Sequence, residues 1–383
     1  MVTAVPGSQR RSTVTQEPAL PAVHEGVIVT AFAAASDSSE SEFAPISQRQ
    51  VRHGVAANQG RRCHMEDATT AILDFRDNLN LEVAAQAPDV NSFYGVFDGH
   101  SGSDAANYAK DHLHSFFGGY LQADSLLPTE MHEAMAPRML QVQAFIRTDL
   151  ELYKAFQAPI SETSPACSGT TALTAFIWGD QLMVANAGDC RAVLCRRGRA
   201  IELSNDHRPS NPEEALRVRA AGGHICPDGY LNGHLAVLRA LGDHHFKDLK
   251  APTGPDGAMQ GPLTAEPEIA SQAILPEDEF ILMACDGFWD VFSSQRAVEC
   301  ARQQLRDHND PQLCSQQLVD EAMKMNTSDN VSVITICLTN DAPPKRVFRQ
   351  GSVTRTLSTN GITRLSSAIF DATVDETSMS SQL

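Results

Sequence analysis

The chain has 383 residues, 30 basic and 47 acidic side chains, and a formal net charge of −17. Nucleic-acid binders need basic surface to displace phosphate counterions, so this balance excludes them as a first reading. Apolar residues at 42% and charged residues at 20% are ordinary for a globular protein with a core of its own.

In chain order, residues 1–49 are rich in Ala, Ser, Thr and Pro and read as a disordered extension. The stretch Gly26–Ala35 is a poor secretory signal, because His24 and Glu25 abut it. A body follows over residues 50–340. Its predicted strands are Thr69–Phe75, Ser92–Phe97, Thr171–Trp178, Leu182–Asn186, Ala192–Cys195, Phe280–Cys285 and Val331–Leu338. Predicted helices cover Ser103–Phe117, Glu130–Phe156, Pro212–Ala221, Ser294–Leu305 and Pro311–Met325. Asp77–Asn91 reads as a surface hairpin or loop. Residues 171–203 leave no room for a helix, so they read as an antiparallel meander. Strands of this kind with helices outside them predict sheets packed on each other and flanked by helices. Residues 341–383 are Ser/Thr-rich and read as a disordered tail; Ser352 and Ser358 there have arginines two or three residues before them, in what we read as a passive solvated segment.

No apolar stretch reaches the ~20 residues a membrane span needs. The nine cysteines are scattered without a Cys-x-x-Cys pair, and several sit in apolar runs, such as Cys285 and Cys337. They read as buried reduced thiols and place the protein inside the cell, in cytoplasm or nucleus, with organelle targeting left open.

The chemistry is carried by carboxylates at strand ends. The strand ending at Phe97 runs into Asp98-Gly99-His100. The strand ending at Cys285 runs into Asp286-Gly287, with Asp290 just beyond. Leu182–Asn186 leads to Gly188-Asp189, and Asp329-Asn330 precedes Val331–Leu338. Glu66-Asp67 precedes the strand at Thr69. A single Asp-Gly is usually only a turn. Several at the lips of buried strands crowd like charges together, an arrangement that calls for cations. Carboxylates without Cys or His select hard ions, Mg²⁺ or Mn²⁺, and a pair of these would clamp a phosphate and activate a water.

At these residues the chain resembles the metal-dependent protein serine/threonine phosphatases of type 2C. Arg62-Cys63-His64-Met65-Glu66-Asp67 resembles the family's Arg-x-x-Met-Glu-Asp, and Asp98-Gly99-His100-Ser101-Gly102 its Asp-Gly-His-x-Gly. Ser168–Ala172, Ala185–Arg191, Asp206–Pro209, Ala220–Gly223, Leu235–Asp243, Ala284–Asp290 and Ser328–Ser332 follow in the family's order. The resemblance implies an α+β fold: a central antiparallel β-sandwich with helices on both outer faces, in four layers α-β-β-α. It implies two Mg²⁺ or Mn²⁺ ions, with Asp98 bridging both. Asp286 and Asp329 would complete one, and Glu66 and the carbonyl of Gly99 the other. Asp67 would orient a water from behind the ligands, and Asp189, Asp286 and Asp290 match a third, weaker ion of some members. Arg62 would grip the phosphate and His100 would protonate the departing serine or threonine oxygen. A water or hydroxide bridging the ions would attack phosphorus directly.

The implied partners are phosphorylated proteins, with no nucleic acid, no membrane span and a monomeric chain. Leu238 departs from the family's Ser before Arg239 and is expected to change packing, not chemistry. The long segment 206–240 corresponds to the family's flap beside the site. Two alternatives remain. A catalytically silent relative acting as a binding module is disfavoured by the intact acids, and another two-metal hydrolase, such as a nuclease, by the charge.

Overall fold

The computed structural model describes residues 50–123, 136–156, 168–247 and 261–344. The N-terminal extension, the tail beyond 344 and the first residues of the helix predicted from Glu130 lie outside them.

Thirteen strands and seven α-helices are found among the described residues. In order they are β1 (Arg52–Asn58), β2 (Ala68–Ile72), α1 (Leu81–Ala84), β3 (Asn91–Phe97), β4 (Gly99–His100), α2 (Asp104–Ala123), α3 (Ala136–Ala155), β5 (Gly169–Thr170), β6 (Ala172–Trp178) and β7 (Gln181–Ala187). Then come β8 (Arg191–Arg196), β9 (Arg199–Glu202), α4 (Pro212–Ala220), β10 (Leu241–Gly242), β11 (Glu268–Ala273), β12 (Asp278–Ala284), α5 (Asp286–Trp289), α6 (Ser294–His308), α7 (Pro311–Lys324) and β13 (Val331–Cys337). One five-stranded sheet has the order β1-β13-β12-β8-β9, the other β11-β7-β6-β3-β2, and β10-β5-β4 make a small third sheet. Every pairing between these strands is antiparallel.

Alternation along the strands builds the layers. On β12, Ile281 and Met283 point between the sheets, where they join Tyr94, Leu173, Val184 and Ile334. Their neighbours Phe280, Leu282 and Ala284 face α6 and α7 and pack on Val298, Leu305 and Leu318. On the other sheet Phe93, Phe97 and Phe176 face α2 and α3 and pack on Leu113, Phe117 and Phe145. Because the central strands β3, β6, β7, β12 and β13 are buried on both faces, both faces of each large sheet must be covered, and the expected four-layer order α-β-β-α results.

The predicted meander over 171–203 is instead two hairpins in different sheets. β6 pairs with β7 and β8 with β9, while the chain crosses from one sheet to the other at 188–190. Both halves are apolar runs joined by tight turns, and pattern alone cannot say whether neighbours in sequence share a sheet. The strand predicted to Phe75 stops at Ile72, because Asp74 caps a 3₁₀ turn by accepting from Arg76 N at 3.0 Å, and Asn91 Oδ1 takes the Phe75 N–H at 2.6 Å. The expected hairpin or loop at Asp77–Asn91 contains the short helix α1, capped by Asn80. The helix α2 continues past Phe117 through Gly118, where a Cβ would approach Asn78 O to 2.6 Å. Strands β1 and β11 were not anticipated: their mixed small and polar residues carry no clean period.

Segment 206–240 has a minor core of its own, and the departing residue Leu238 is fully buried in it beside Val218, Leu231 and Leu263, a packing role as expected. Glu214 on α4 ties this segment together. Its carboxylate accepts from Arg239 Nη2 at 2.5 Å and Arg217 Nε at 3.0 Å, and those arginines also donate to the carbonyls of Glu266, Leu238 and Pro262. Burial works to raise the Glu214 pKa; Arg239 and Arg217 override it and bring it from 4.5 down to about 2. A pKa depressed on folding stabilises above the unfolded value and is lost as pH falls through the folded one. The stabilisation is therefore complete above about pH 4.5 and disappears towards pH 2. Glu214→Gln should cost up to about 3 kcal/mol at pH 7. The gap between wild type and variant in urea titrations should shrink as pH drops through that window; a gap independent of pH would show that the charge is not what holds the segment.

Candidate metal centre

Antiparallel order brings the carboxylates to one end of the sandwich. Ala68 at the start of β2 lies opposite Phe97 at the end of β3, and Ala284 at the end of β12 lies opposite Val333 near the start of β13. Ends and beginnings of alternate strands thus share one edge. Two of the links between the large sheets, 59–67 and 188–190, also lie at this edge, since β1 ends opposite Val331 and β7 ends opposite Ala172. Asp67, Asp98, Asp189, Asp286 and Asp329 are consequently neighbours.

Asp98 is the centre of the group. Burial raises its pKa well above the usual carboxylate value, and the charges of Asp67, Asp286, Asp189 and Asp329 add to the effect. Its backbone is fixed from β5 and β6: Asp98 N donates to Thr171 Oγ1 at 3.1 Å, and Asp98 O accepts from Thr171 N at 2.9 Å. Burial likewise brings Asp67 up to about 6, against the hydrogen bond from Ser332 Oγ to Asp67 Oδ2 at 2.7 Å. The other oxygen, Asp67 Oδ1, is buried without a partner. Asp189 is brought up to about 7 by burial and Asp286, with Arg208 opposing. Burial, and then Asp290, raises Asp286. An orphaned carboxylate oxygen beside several acids that resist ionisation fits divalent cations of the hard class.

The sulfur of Cys285 sits within this group: ligand atoms of Asp67, Asp98 and Cys285 all lie within 4.8 Å of one another. Composition had suggested carboxylates alone. The thiol is engaged elsewhere, donating to Asn330 O at 3.4 Å and accepting from Ser332 N at 3.1 Å, and burial raises its pKa well above the usual thiol value. It is a neutral wall beneath the acids, not a thiolate ligand.

The remaining predicted residues border this core. Glu66 Oε1 accepts from Gly102 N at 2.9 Å, just before α2. Gly99 lies against the Glu66 carbonyl so closely that a Cβ would overlap it. Arg62 Nη2 lies 2.5 Å from Asp329 Oδ2, with more than half of its side chain exposed. His100 Nε2 lies 2.5 Å from Asp243 Oδ2. Burial opposes protonation of that ring, but Asp243, with Asp189 and Glu66 further off, outweighs it and raises its pKa. Asp290 lies at the rim and accepts from Arg208 Nη2 at 3.1 Å.

Two residues had no role in the sequence reading. Arg208 spans the acids matched to a third ion: Nε donates to Asp189 Oδ2 at 2.9 Å and Nη2 to Asp286 Oδ2 at 3.2 Å. It is carried by a segment stitched to the Gly188 turn through His207 N→Gly188 O at 2.9 Å, and by the two-point bond of Arg191 to Asp206. Asn330 latches the loop 59–66. Its Oδ1 accepts from Glu66 N at 2.8 Å, and its Nδ2 donates to the carbonyls of Gln59 at 2.7 Å and His64 at 3.0 Å. The available signal was an amide next to Asp329, at the mouth of a buried strand.

Comparison with known proteins bears on the family and the fold. The family model described as Protein phosphatase 2C matches residues 51–331. "Probable protein phosphatase 2C 22" of Arabidopsis thaliana is 43% identical over 331 residues, covering 86% of this chain and 79% of that protein. "Probable protein phosphatase 2C 57" of Oryza sativa subsp. japonica is 44% identical over 317 residues, 83% of this chain and 80% of its own. A serine-threonine phosphatase 2C from Toxoplasma gondii superposes with a TM-score of 0.59 at 22% identity, covering 76% of this chain and 95% of that structure. At that identity the likeness speaks for the fold. Among the described residues no helix is long and apolar enough to cross a membrane, and every cysteine is a free thiol.

Asn330→Ala removes the bonds that hold Glu66 against the cluster. Loss of an outer partner of this kind typically weakens metal affinity by about 10–100-fold. Calorimetric titration with Mn²⁺ should show that loss while the melting transition stays cooperative. An unchanged Kd would mean that the loop is held by other contacts.

Proposed function

Because the chain belongs to the protein phosphatase 2C family and is a protein serine/threonine phosphatase, we propose that the acidic edge of its sandwich is the catalytic centre. The observation that carries this is the burial of Asp98 among Asp67, Asp286, Asp189 and Asp329. Such a cluster has no stabilising role without cations. Asp98, Asp286, Asp329, Glu66 and the Gly99 carbonyl would hold two Mg²⁺ or Mn²⁺ ions, and Asp189, Asp286 and Asp290 a third. The ions, when bound, supply the acidity that activates a water and the charge that neutralises the phosphate.

The chain's own groups do the rest. Asp67, with one oxygen held by Ser332 and the other without a partner, accepts a hydrogen bond from water and orients it. Arg62 exchanges Asp329 for the substrate phosphate, whose oxygens suit its planar fork. His100 gives a proton to the seryl or threonyl oxygen as the phosphorus–oxygen bond breaks. The substrate class is phosphorylated protein, and every residue invoked belongs to one chain, so the site needs no residue from a second copy. An intracellular setting accords with the free thiols. The silent-relative alternative has no observation in its favour, because each acid of the proposed set is present.

Metal stripping followed by excess chelator should abolish turnover of a phosphothreonine peptide, with Mn²⁺ or Mg²⁺ restoring it. Asp98→Asn should lose several orders of magnitude in kcat at saturating Mn²⁺ with the fold intact, roughly the scale on which metal activation of water operates. Full turnover in chelator, or near-normal turnover of the variant, would sink the assignment.

Arg62→Ala tests the grip separately. Loss of a charge-assisted bond to a dianion is worth about 1.5–3 kcal/mol. KM for the peptide should therefore rise roughly 10–100-fold, at least as much as kcat falls. A normal KM with a large fall in kcat would mean that Arg62 acts only in the transition state.

A further inference from the structure

The small sheet β10-β5-β4 has one evident consequence: it brings His100 and Asp243 together although 143 positions separate them. His100 pairs across with Gly169, and Gly169 with Gly242. Asp243 follows directly, in left-handed backbone at φ 49°, ψ 37°, which costs a residue other than glycine some strain. Gly169 lies between the two side chains, and a Cβ there would overlap both Asp243 Oδ2 and His100 Nε2. The dyad therefore needs glycine at 169 and a strained turn at 243.

The turn is held from behind by α3. Asp149 Oδ1 accepts from Gly242 N at 2.8 Å and from Lys247 Nζ at 2.6 Å, and His244 Nε2 lies 3.0 Å from Asp149 O. Lys247 Nζ also donates to Ala240 O at 2.9 Å. The side chains of Lys247 and Asp149 are 0% and 3% exposed. Releasing the turn would strand a buried charge without its partner. Asp243 itself is 2% exposed, while the His100 side chain keeps 27% of its surface open.

We propose that Asp243 is the positioning residue for His100. Its carboxylate accepts the Nε2 hydrogen, fixes the ring and its tautomer, and leaves Nδ1 to carry the proton that passes to the departing oxygen. The logic is that of a carboxylate orienting an imidazole in other hydrolases. This rests on the proposed acid role of His100, and the test separates the two.

The experiment compares the full-length wild type, Asp243→Asn, His100→Ala and the double variant on a phosphothreonine peptide and on nitrophenyl phosphate, whose leaving group needs no proton. Mn²⁺ affinity is measured alongside, with the ¹H–¹⁵N signals of the His100 ring. Wild-type spectra should show hydrogen on Nε2. Asp243→Asn should lower kcat on the peptide at least about tenfold, within the roughly 10²–10⁴-fold that a general acid contributes. It should leave nitrophenyl phosphate turnover and Mn²⁺ affinity nearly unchanged, and the double variant should be no worse than His100→Ala. A wild-type ring without hydrogen on Nε2 overturns the inference whatever the variants do. Equal losses on both substrates for Asp243→Asn, or losses that multiply in the double variant, also overturn it. If His100→Ala shows no substrate bias but Asp243→Asn still shifts the ring signals, the acid role fails and the ring-fixing contact stands.

Discussion

Confining Asp98 with Asp67, Asp286, Asp189 and Asp329 at the dry edge of a sandwich sets like charges where water screens them poorly. The rest of the architecture either tolerates or relieves that repulsion. The Asn330 backbone N–H satisfies one oxygen of Asp329, and the Ser332 hydroxyl one oxygen of Asp67. Arg208 and Arg62 lend positive charge at the rim. Neither reaches the orphaned oxygen of Asp67, which leaves a demand for cations at the centre.

The sandwich meets this demand through rigidity. Three apolar layers, two outside the sheets and one between them, hold the strand ends in place. The links 59–67 and 188–190 cross between the large sheets at the edge where the acids gather, whereas 274–277 crosses at the opposite end, which carries none of the predicted ligands. Asn330 and the Gly99 contact press the loop bearing Arg62 and Glu66 onto this edge. The buried Asp149–Lys247 pair does the same for the turn bearing Asp243. Charged residues are thus paired around a centre, Asp98 and Asp67, to which no basic side chain is bonded, an arrangement that favours one geometry over looser alternatives.

Much of this was legible in the chain. The central strands were readable because both of their faces are buried, which writes a continuous apolar run such as Phe280–Cys285 into the sequence. The acids at their ends were readable because Asp-Gly is a local turn signal. The edge strand β11 was not readable, since Glu268–Ala273 is half-exposed and has no clean period. The division of 171–203 between two sheets was not readable either: pattern records which face is buried, not which neighbour buries it. Cys285 looked like an inert core thiol, and only the fold set it beside Asp67 and Asp98.

The sequence by itself determined the buried central strands and the longer helices, the acids at the strand ends and, through ordered motifs, the family. These are properties of short windows, fixed by side-chain period, turn chemistry and charge. The tertiary structure alone decided that Asn330 holds the loop at Gln59 and His64, that Arg208 spans Asp189 and Asp286, and that Asp243 meets His100 across Gly169. Such contacts join residues far apart in the chain, and their partners are chosen by sheet order and register, which no local pattern encodes.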